Sequence, residues 1–148
     1  MEKTKRYEHI YIQLKSLLEK SNDLEANMCS IIALLHFKMD NFFWTGFYCL
    51  RNDELIARTY QGPIACMKLK KNTGVCWAVI NAKQTIIVDD VEKFPGHIAC
   101  DSRSKSEIVV PLHDMKGEVI GVLDIDSKEL NNFDETDAFW LEKILGLF

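Results

Sequence analysis

The stretch FPGHIACDSRSKSEIVVP carries a single thiol, that of Cys100, among polar and turn-forming residues. A proline and a glycine precede the cysteine, and hydroxyl-bearing or charged residues follow it. An apolar run typical of a strand begins only after Glu107. Redox and nucleophilic reactions use the thiolate of an exposed cysteine, and a polar loop provides that exposure. Cys100 is therefore a candidate for such chemistry.

The chain has five cysteines, and their number and spacing limit what they can do. An odd count without a Cys-x-x-Cys pair argues against a structural disulfide framework and against a typical zinc site. A zinc site stays the less favoured alternative because His97 and Cys100 are three residues apart. Any disulfide is expected to be transient and catalytic. Cys29, in a predicted helix, and Cys49, in a predicted strand, are interpreted as packing residues.

Two carboxylates end the apolar strand VIGVLDIDS. Side chains alternate between the faces of a strand, so Asp124 and Asp126 share one face and lie roughly 7 Å apart. Like charges this close raise each other's pKa unless a cation lies between them. Two interpretations stay open: a strand end that emerges into solvent, or a patch that binds a metal ion or an ammonium group.

The strand WTGFY places Trp44, Gly46 and Tyr48 on one face. A glycine between two large aromatic side chains predicts a slot with aromatic walls, which would suit a methyl or thioether group. The alternative is an ordinary core face with the glycine at a β-bulge.

Hydrophobic periodicity predicts the elements that position these residues. We predict two N-terminal helices, the second capped by Asn22, and a C-terminal helix capped by Asp134. Between them the pattern predicts a hairpin, a short helix, a single strand, a long loop over residues 89–106 and a second hairpin. Strands joined by short turns are antiparallel. The predicted fold class is α+β, with an antiparallel sheet and helices packed on one face.

Composition excludes several classes of protein. With 47% hydrophobic and 27% charged residues, the chain is typical of globular proteins, and its net charge of −4 does not favour nucleic acid or an anionic membrane as a partner. No apolar run reaches the roughly 18 residues of a membrane span, and the charged N-terminus does not resemble a signal peptide. We expect one domain over residues 1–148 and a cytoplasmic location.

Several motifs together carry a family resemblance. FWTGFY, YQGPIAC, TGVC, VDDVEKFPGHIACDSRSKSEIVVP and GVLDIDS resemble the GAF-domain family of free methionine-(R)-sulfoxide reductases, in family order over residues 40–133. The longest motif is highly specific, whereas GVLDIDS also resembles strands of sensor GAF domains. The resemblance implies a six-stranded antiparallel sheet flanked by helices, and an enzyme that needs no metal and no organic cofactor.

The resemblance also implies roles for three cysteines. Cys100 resembles the catalytic cysteine, Cys66 the resolving cysteine that forms a disulfide with it, and Cys76 an auxiliary third cysteine. The Cys100 thiolate would take the sulfoxide oxygen as a sulfenic acid, which would condense with Cys66. Thioredoxin or a similar reductant would then reduce the disulfide. His97 is interpreted either as a group that lowers the pKa of Cys100 or as a hydrogen-bonding loop residue.

The same resemblance places Glu107, Asp124 and Asp126 around the substrate and makes Trp44 and Tyr48 the aromatic walls at its sulfoxide end. One of the acids would protonate the departing oxygen, and the cluster would bind the α-ammonium group of a free amino acid. By analogy with other GAF proteins, the first helix allows a homodimer. Two alternatives stay open: a GAF sensor module that binds a ligand without converting it, and a thiol redox sensor.

Overall fold

The computed structural model describes residues 2–97 and 100–148. The elements, in chain order, are α1 Lys3–Leu18, α2 Leu24–Lys38, β1 Trp44–Arg51, β2 Glu54–Gln61, β3 Lys68–Leu69, α3 Gly74–Ala82, β4 Ile86–Val88, a 3-10 turn Val91–Lys93, β5 Ser106–His113, β6 Val119–Ser127 and α4 Glu135–Leu145. This confirms the predicted α+β class. Within the described residues, no helix is both long enough and apolar enough to cross a membrane.

The six strands form one sheet in the order β3-β2-β1-β6-β5-β4, and every neighbouring pair is antiparallel. The number of strands agrees with the resemblance. β1 and β6 are central, which explains why the residues of β6 are apolar on both faces. The sequence pattern predicted five of the strands and missed β3, which has only two residues.

Helices α1, α2 and α4 cover one face of the sheet and enclose the larger core. Phe47, Ile108 and Leu123 point into this core from three neighbouring strands, and all are fully buried. A buried polar network also joins α1 to α4, since Asp137 accepts hydrogen bonds from Lys3 at 2.8 Å and from Tyr7 at 2.5 Å. These contacts fix the layer that supports the central strands.

Helix α3 lies on the opposite face of the sheet, so the prediction that the helices pack on one face is wrong for α3. Val109 of β5 and Val122 of β6 alternate with residues of the larger core and therefore form a second apolar surface. Val75 and Val79 of α3 are buried against it. Because α3 packs against this second face, the start of α3 lies near the end of β6.

Two predicted caps have different outcomes. Asp23, not Asn22, caps α2, because its carboxylate accepts a hydrogen bond from the backbone N–H of Ala26 at 2.9 Å. The predicted cap of α4 is confirmed: Asp134 and Asp137 form a reciprocal capping box.

Candidate active site

The two cysteines assigned to the redox reaction lie on different segments and meet at one point. Cys66 follows β2 in the connection to β3, and Cys100 lies in the long loop between β4 and β5. They form a disulfide with a Cα–Cα distance of 5.7 Å across 34 residues of sequence. Cys100 is exposed and Cys66 is half-buried. The disulfide is thus accessible to solvent from the Cys100 side.

The loop that holds Cys100 is anchored where its two ends meet, at Val91 and Lys105, a place that we call the neck of the loop. The backbone N–H of Val91 donates to the carbonyl of Lys105 at 2.8 Å, and that of Lys105 donates to the carbonyl of Ser127 at 2.7 Å. Nearer to Cys100, the Arg103 guanidinium lies 4.9 Å from the centre of the Phe43 ring, which is within cation–π range. The neck is fixed to the sheet, and the cysteine projects from it.

Three carboxyl groups lie on the face of the sheet opposite the larger core. Asp126 of β6 is the direct cross-strand partner of Glu107 of β5, and Asp124 lies opposite Gly46 of β1. Glu107 and Asp124 are 5% and 6% exposed, and Asp126 is half-buried. The predicted shared face of the two aspartates is therefore correct, and the solvent-exposed strand end is excluded for Asp124.

Burial and mutual repulsion favour the protonated form of this cluster. Burial, followed by the charges of Asp124 and Asp126, raises the pKa of Glu107 well above its ordinary value. Burial and the charge of Asp124 do the same to the pKa of Asp126. Burial also raises the pKa of Asp124, although hydrogen bonds from Glu107 and Cys76 oppose part of that rise. One buried oxygen of Asp124 has no hydrogen-bond partner among the described residues.

Cys76 is buried in the first turn of α3, 4% exposed, beside these acids. Burial, and then the charges of Asp124 and Glu107, raise the pKa of its thiol well above the usual value. The potential ligand atoms of Cys76, Glu107 and Asp124 lie within 4.8 Å of one another, which is compact enough for a metal ion. Because all three groups favour their protonated forms, a metal would have to displace protons in order to bind.

The aromatic side chains form a continuous stack. The Trp44 ring stacks on Tyr48 with centroids 5.7 Å apart and on Tyr60 at 5.2 Å. The expected open slot above Gly46 is wrong, because a Cβ atom there would lie 2.4 Å from Cη2 of Trp44: the indole itself fills the space. The alternative of a β-bulge is correct, since the β1–β2 register shifts between Gly46 and Tyr48.

A cavity of about 230 Å³ lies beside this stack, and all eight residues assigned by resemblance line it. They are Cys66, Cys76, Cys100, Glu107, Asp124, Asp126, Trp44 and Tyr48. The structure brings them together; their individual roles stay predictions. Sequence reasoning missed Tyr60, which closes the aromatic stack from β2. Tyr60 is the first residue of the motif YQGPIAC, but that motif assigned a role only to Cys66, and nothing in the sequence indicated where the Tyr60 ring would lie.

His97 also lines the cavity, but it does not fit the role of a cation beside Cys100. Burial lowers its pKa, and the opposing effect of the Asp124 charge is smaller. The imidazole is therefore neutral near pH 7, so it supplies no positive charge to stabilise a thiolate. Its Nε2 atom is buried without a hydrogen-bond partner among the described residues.

Comparison with known proteins agrees with this arrangement. A family model described as GAF domain matches residues 21–148. GAF domain-containing protein A of Dictyostelium discoideum is 49% identical over 146 residues, which cover 98% of this chain and 91% of that protein. Free methionine-R-sulfoxide reductase of Escherichia coli is 37% identical over 146 residues, which cover 99% and 88%.

A solved structure gives the same result. The crystal structure of free methionine-R-sulfoxide reductase from Neisseria meningitidis in complex with its substrate superposes with a TM-score of 0.94 at 40% identity, covering 99% of this chain and 88% of that chain. With the family model and a reductase matched over nearly the full length of both chains, the chain belongs to the GAF-domain family of free methionine-R-sulfoxide reductases and is an oxidoreductase.

Proposed function

We propose that the chain reduces free L-methionine-(R)-sulfoxide to methionine in the 230 Å³ cavity. The observation that carries the proposal is the Cys66–Cys100 disulfide, which lies on the wall of the same cavity as three buried or half-buried carboxyl groups. The cysteine pair suits oxygen transfer, and the carboxyl groups suit recognition of an amino acid. The preference for the R epimer rests on the relatives' names.

The chemistry begins with the reduced pair. The Cys100 thiolate attacks the sulfoxide sulfur and forms a transient S–S bond. As that bond and the substrate S–O bond break, the oxygen transfers with one proton to Cys100 as a sulfenic acid, and methionine leaves. The Cys66 thiol then displaces that oxygen as water and closes the disulfide. The sulfoxide gains two electrons and the cysteine pair loses two.

The departing oxygen needs a proton, and the carboxyl cluster supports this step. The raised pKa values of Glu107 and Asp126 keep a protonated carboxyl available near neutral pH. An exposed carboxyl would be ionised there and could not act as an acid.

The same cluster accounts for recognition of a free amino acid. An α-ammonium group placed beside Asp124 would pair with its buried carboxylate oxygen, which has no partner among the described residues. A methionine sulfoxide within a polypeptide carries an uncharged amide at that position and chain on both sides. It would leave the acids without a counter-charge and would not fit the cavity.

Regeneration requires an external dithiol. We propose thioredoxin or a related reductant, which would act in the cytoplasm, where such reductants keep thiols reduced. The exposure of Cys100 supports direct thiol–disulfide exchange with a protein partner. A homodimer that uses α1 is a further part of the proposal, and Ile12 of that helix is exposed.

The test is a coupled assay with thioredoxin, thioredoxin reductase and NADPH. We expect NADPH oxidation with free methionine sulfoxide and at least about 100-fold lower kcat/KM with N-acetyl-methionine sulfoxide, because a site built around a charged group strongly rejects an analogue that lacks it. Comparable kcat/KM values would show that the ammonium group is not read.

The same assay separates the alternatives. A GAF sensor module would bind methionine sulfoxide without any NADPH oxidation. A thiol redox sensor would be oxidised by hydrogen peroxide but would give no NADPH oxidation with methionine sulfoxide. Either result would contradict the proposed function.

A further inference from the structure

The segment that carries Cys66 is held by aromatic side chains of the sheet. The indole N–H of Trp44 donates to the carbonyl of Pro63 at 3.0 Å, and the hydroxyl of Tyr48 donates to the carbonyl of Cys66 itself at 3.2 Å. Both side chains come from β1, the strand at the centre of the sheet. The backbone of this short segment is therefore joined at two points, Pro63 and Cys66, to a central strand of the sheet.

The rings that make these contacts are fixed in turn. Trp44 stacks on both Tyr48 and Tyr60, at interplanar angles of 23° and 22°. Gly62, at the start of the segment, approaches the same indole so closely that a Cβ atom there would lie 2.9 Å from its Cδ1. The Tyr60 hydroxyl also accepts the backbone N–H of Ala65, at the long distance of 3.5 Å.

The other half of the disulfide is attached differently. Cys100 is exposed, and the described backbone hydrogen bonds that close its loop and join it to the sheet lie at the neck, at Val91 and Lys105. Among the described residues, the two cysteines of the redox pair are therefore held unequally. Tyr48 of the sheet binds the Cys66 backbone at its own carbonyl, whereas the described attachments of the Cys100 loop are the neck hydrogen bonds and the Arg103–Phe43 contact, three or more residues from Cys100.

We propose that the Tyr48 hydroxyl is a positioning group for the resolving cysteine, which it fixes at the place where the Cys100 sulfenic acid arrives. This assigns the polar end of Tyr48 a task separate from that of its ring, which lines the cavity. It rests on the proposed function, in that Cys66 is the thiol that displaces water from the sulfenic acid.

Burial of Tyr48 supports this role. Desolvation, followed by the charge of Asp124, raises the pKa of its phenol, so the hydroxyl stays protonated and remains a donor across the pH range of the reaction. A fixed thiol also has a high effective concentration toward its partner. If the Cys66 thiol is held less firmly, its effective concentration toward Cys100 falls. Disulfide formation is then expected to be slower and the disulfide less stable.

The experiment uses Tyr48→Phe, which keeps the ring and removes only the donor. Reduced protein is oxidised with hydrogen peroxide, which converts the Cys100 thiol to the sulfenic acid with release of water, and a sulfenic-acid-specific dimedone probe follows its decay. We expect the sulfenic acid to persist about 3–10-fold longer than in the unsubstituted protein. The disulfide should also become easier to reduce in glutathione buffers, by up to about 30 mV for a tenfold loss in its equilibrium constant.

Tyr11→Phe is the matched control. Tyr11 lies in α1, on the opposite side of the sheet. Its substitution is expected to leave the decay of the sulfenic acid and the reduction potential of the disulfide unchanged. Trp44→Phe removes the second donor and should shift both quantities in the same direction as Tyr48→Phe. It also tests the proposal if Tyr48→Phe does not fold, which thermal unfolding of each variant would reveal.

The outcomes separate positioning from substrate recognition. An unchanged decay and potential, combined with a raised KM for methionine sulfoxide, would mean that the hydroxyl contacts substrate and would overturn the proposal. The experiment with hydrogen peroxide contains no methionine sulfoxide, so its result does not depend on whether the protein reduces methionine sulfoxide in the coupled assay. If the unsubstituted protein forms the disulfide with peroxide but produces no methionine, the proposed function fails while a longer-lived sulfenic acid in Tyr48→Phe still supports the positioning role.

Discussion

Two cysteines near the cavity show how environment decides the chemistry of one residue type. Cys76 is buried beside Asp124 and Glu107, which raises the pKa of its thiol and keeps it protonated. Cys100 is exposed in a polar loop and is already joined to Cys66. A thiolate is needed to attack a sulfoxide, and this contrast supports the proposal that Cys100, not Cys76, is the nucleophile. The burial of Cys76 also makes it a poor relay to an external reductant.

At this scale we predict that Cys100→Ser abolishes turnover and leaves folding intact. Serine is a far weaker nucleophile than a thiolate at neutral pH, and an exposed loop side chain adds little to packing. Methionine formation would be measured in the coupled assay and unfolding by urea under reducing conditions. Cys29→Ser is the control, because Cys29 is exposed on α2 and the prediction that it packs in the core is wrong. A rate within about tenfold of the unsubstituted protein, ~1.4 kcal/mol in the barrier, would contradict the assignment.

The residues of the cavity were predictable to different degrees. Alternation along β6 was sufficient to place Asp124 and Asp126 together, because strand geometry fixes which side chains share a face. The position of the Trp44 ring was not predictable, since it depends on Tyr60, whose register against Gly46 follows from a bulge. A bulge is set by tertiary packing and leaves no periodic signal in the sequence.

Among the elements, length decided what could be predicted from the pattern. β5 and β6, with eight and nine residues, show clear strand patterns, whereas β3 has two residues and cannot show any alternation. The side on which α3 packs was also hidden. The helix was predicted, but its face is set by a second apolar surface that spans β5 and β6.

The packing of β1 gives a prediction for Gly46→Ala. A Cβ atom at this position would lie 2.4 Å both from Cη2 of Trp44 and from Cβ of Tyr60, so the stack must shift. We expect a loss of about 1–3 kcal/mol in the free energy of unfolding, measured with urea. Because the shifted indole would also pull away from the segment that carries Cys66, disulfide formation should slow as well.

Gly146→Ala is the control for this substitution. Gly146 ends α4 at a φ of −69°, which any residue adopts, and a Cβ atom there would lie 3.3 Å from the Lys143 carbonyl at the surface. The free energy of unfolding should change by less than about 0.5 kcal/mol. If Gly46→Ala were equally neutral, the stack would have room to move, and the tight contact could not be what fixes Trp44.

For the molecule as a whole, the sheet places a costly polar cluster between two apolar layers. Helices α1, α2 and α4 support one side, α3 covers the other, and the acids of β5 and β6 lie on the α3 side close to the strand ends. Buried acids without a counter-charge destabilise the fold unless they remain protonated. The acids that the proposed function requires therefore reduce the stability of the fold, by an amount that depends on pH.

We predict the sign of that dependence. The pKa of Glu107 is higher in the folded protein than the value of about 4.3 expected for an unfolded chain, so the folded state binds more protons. Its contribution to stability is fully present below the unfolded pKa and is lost as pH rises through the folded pKa. The free energy of unfolding of the reduced protein, compared with that of Glu107→Gln, should therefore decrease as pH rises from about 4 to 9.

Comparison with Glu107→Gln isolates the contribution of Glu107, because all other titrating groups, including His36 and His97 with their lowered pKa values, are common to both proteins. A constant difference across the pH range would mean that Glu107 is ionised or hydrated in the folded state, and would contradict the prediction. In the proposed function, the ammonium group of free methionine would supply the counter-charge, and the affinity for methionine should then rise with pH as Glu107 and Asp126 ionise. Saturating methionine should then flatten the pH dependence of the unsubstituted protein, since ligand binding stabilises the fold most where the buried acids carry charge.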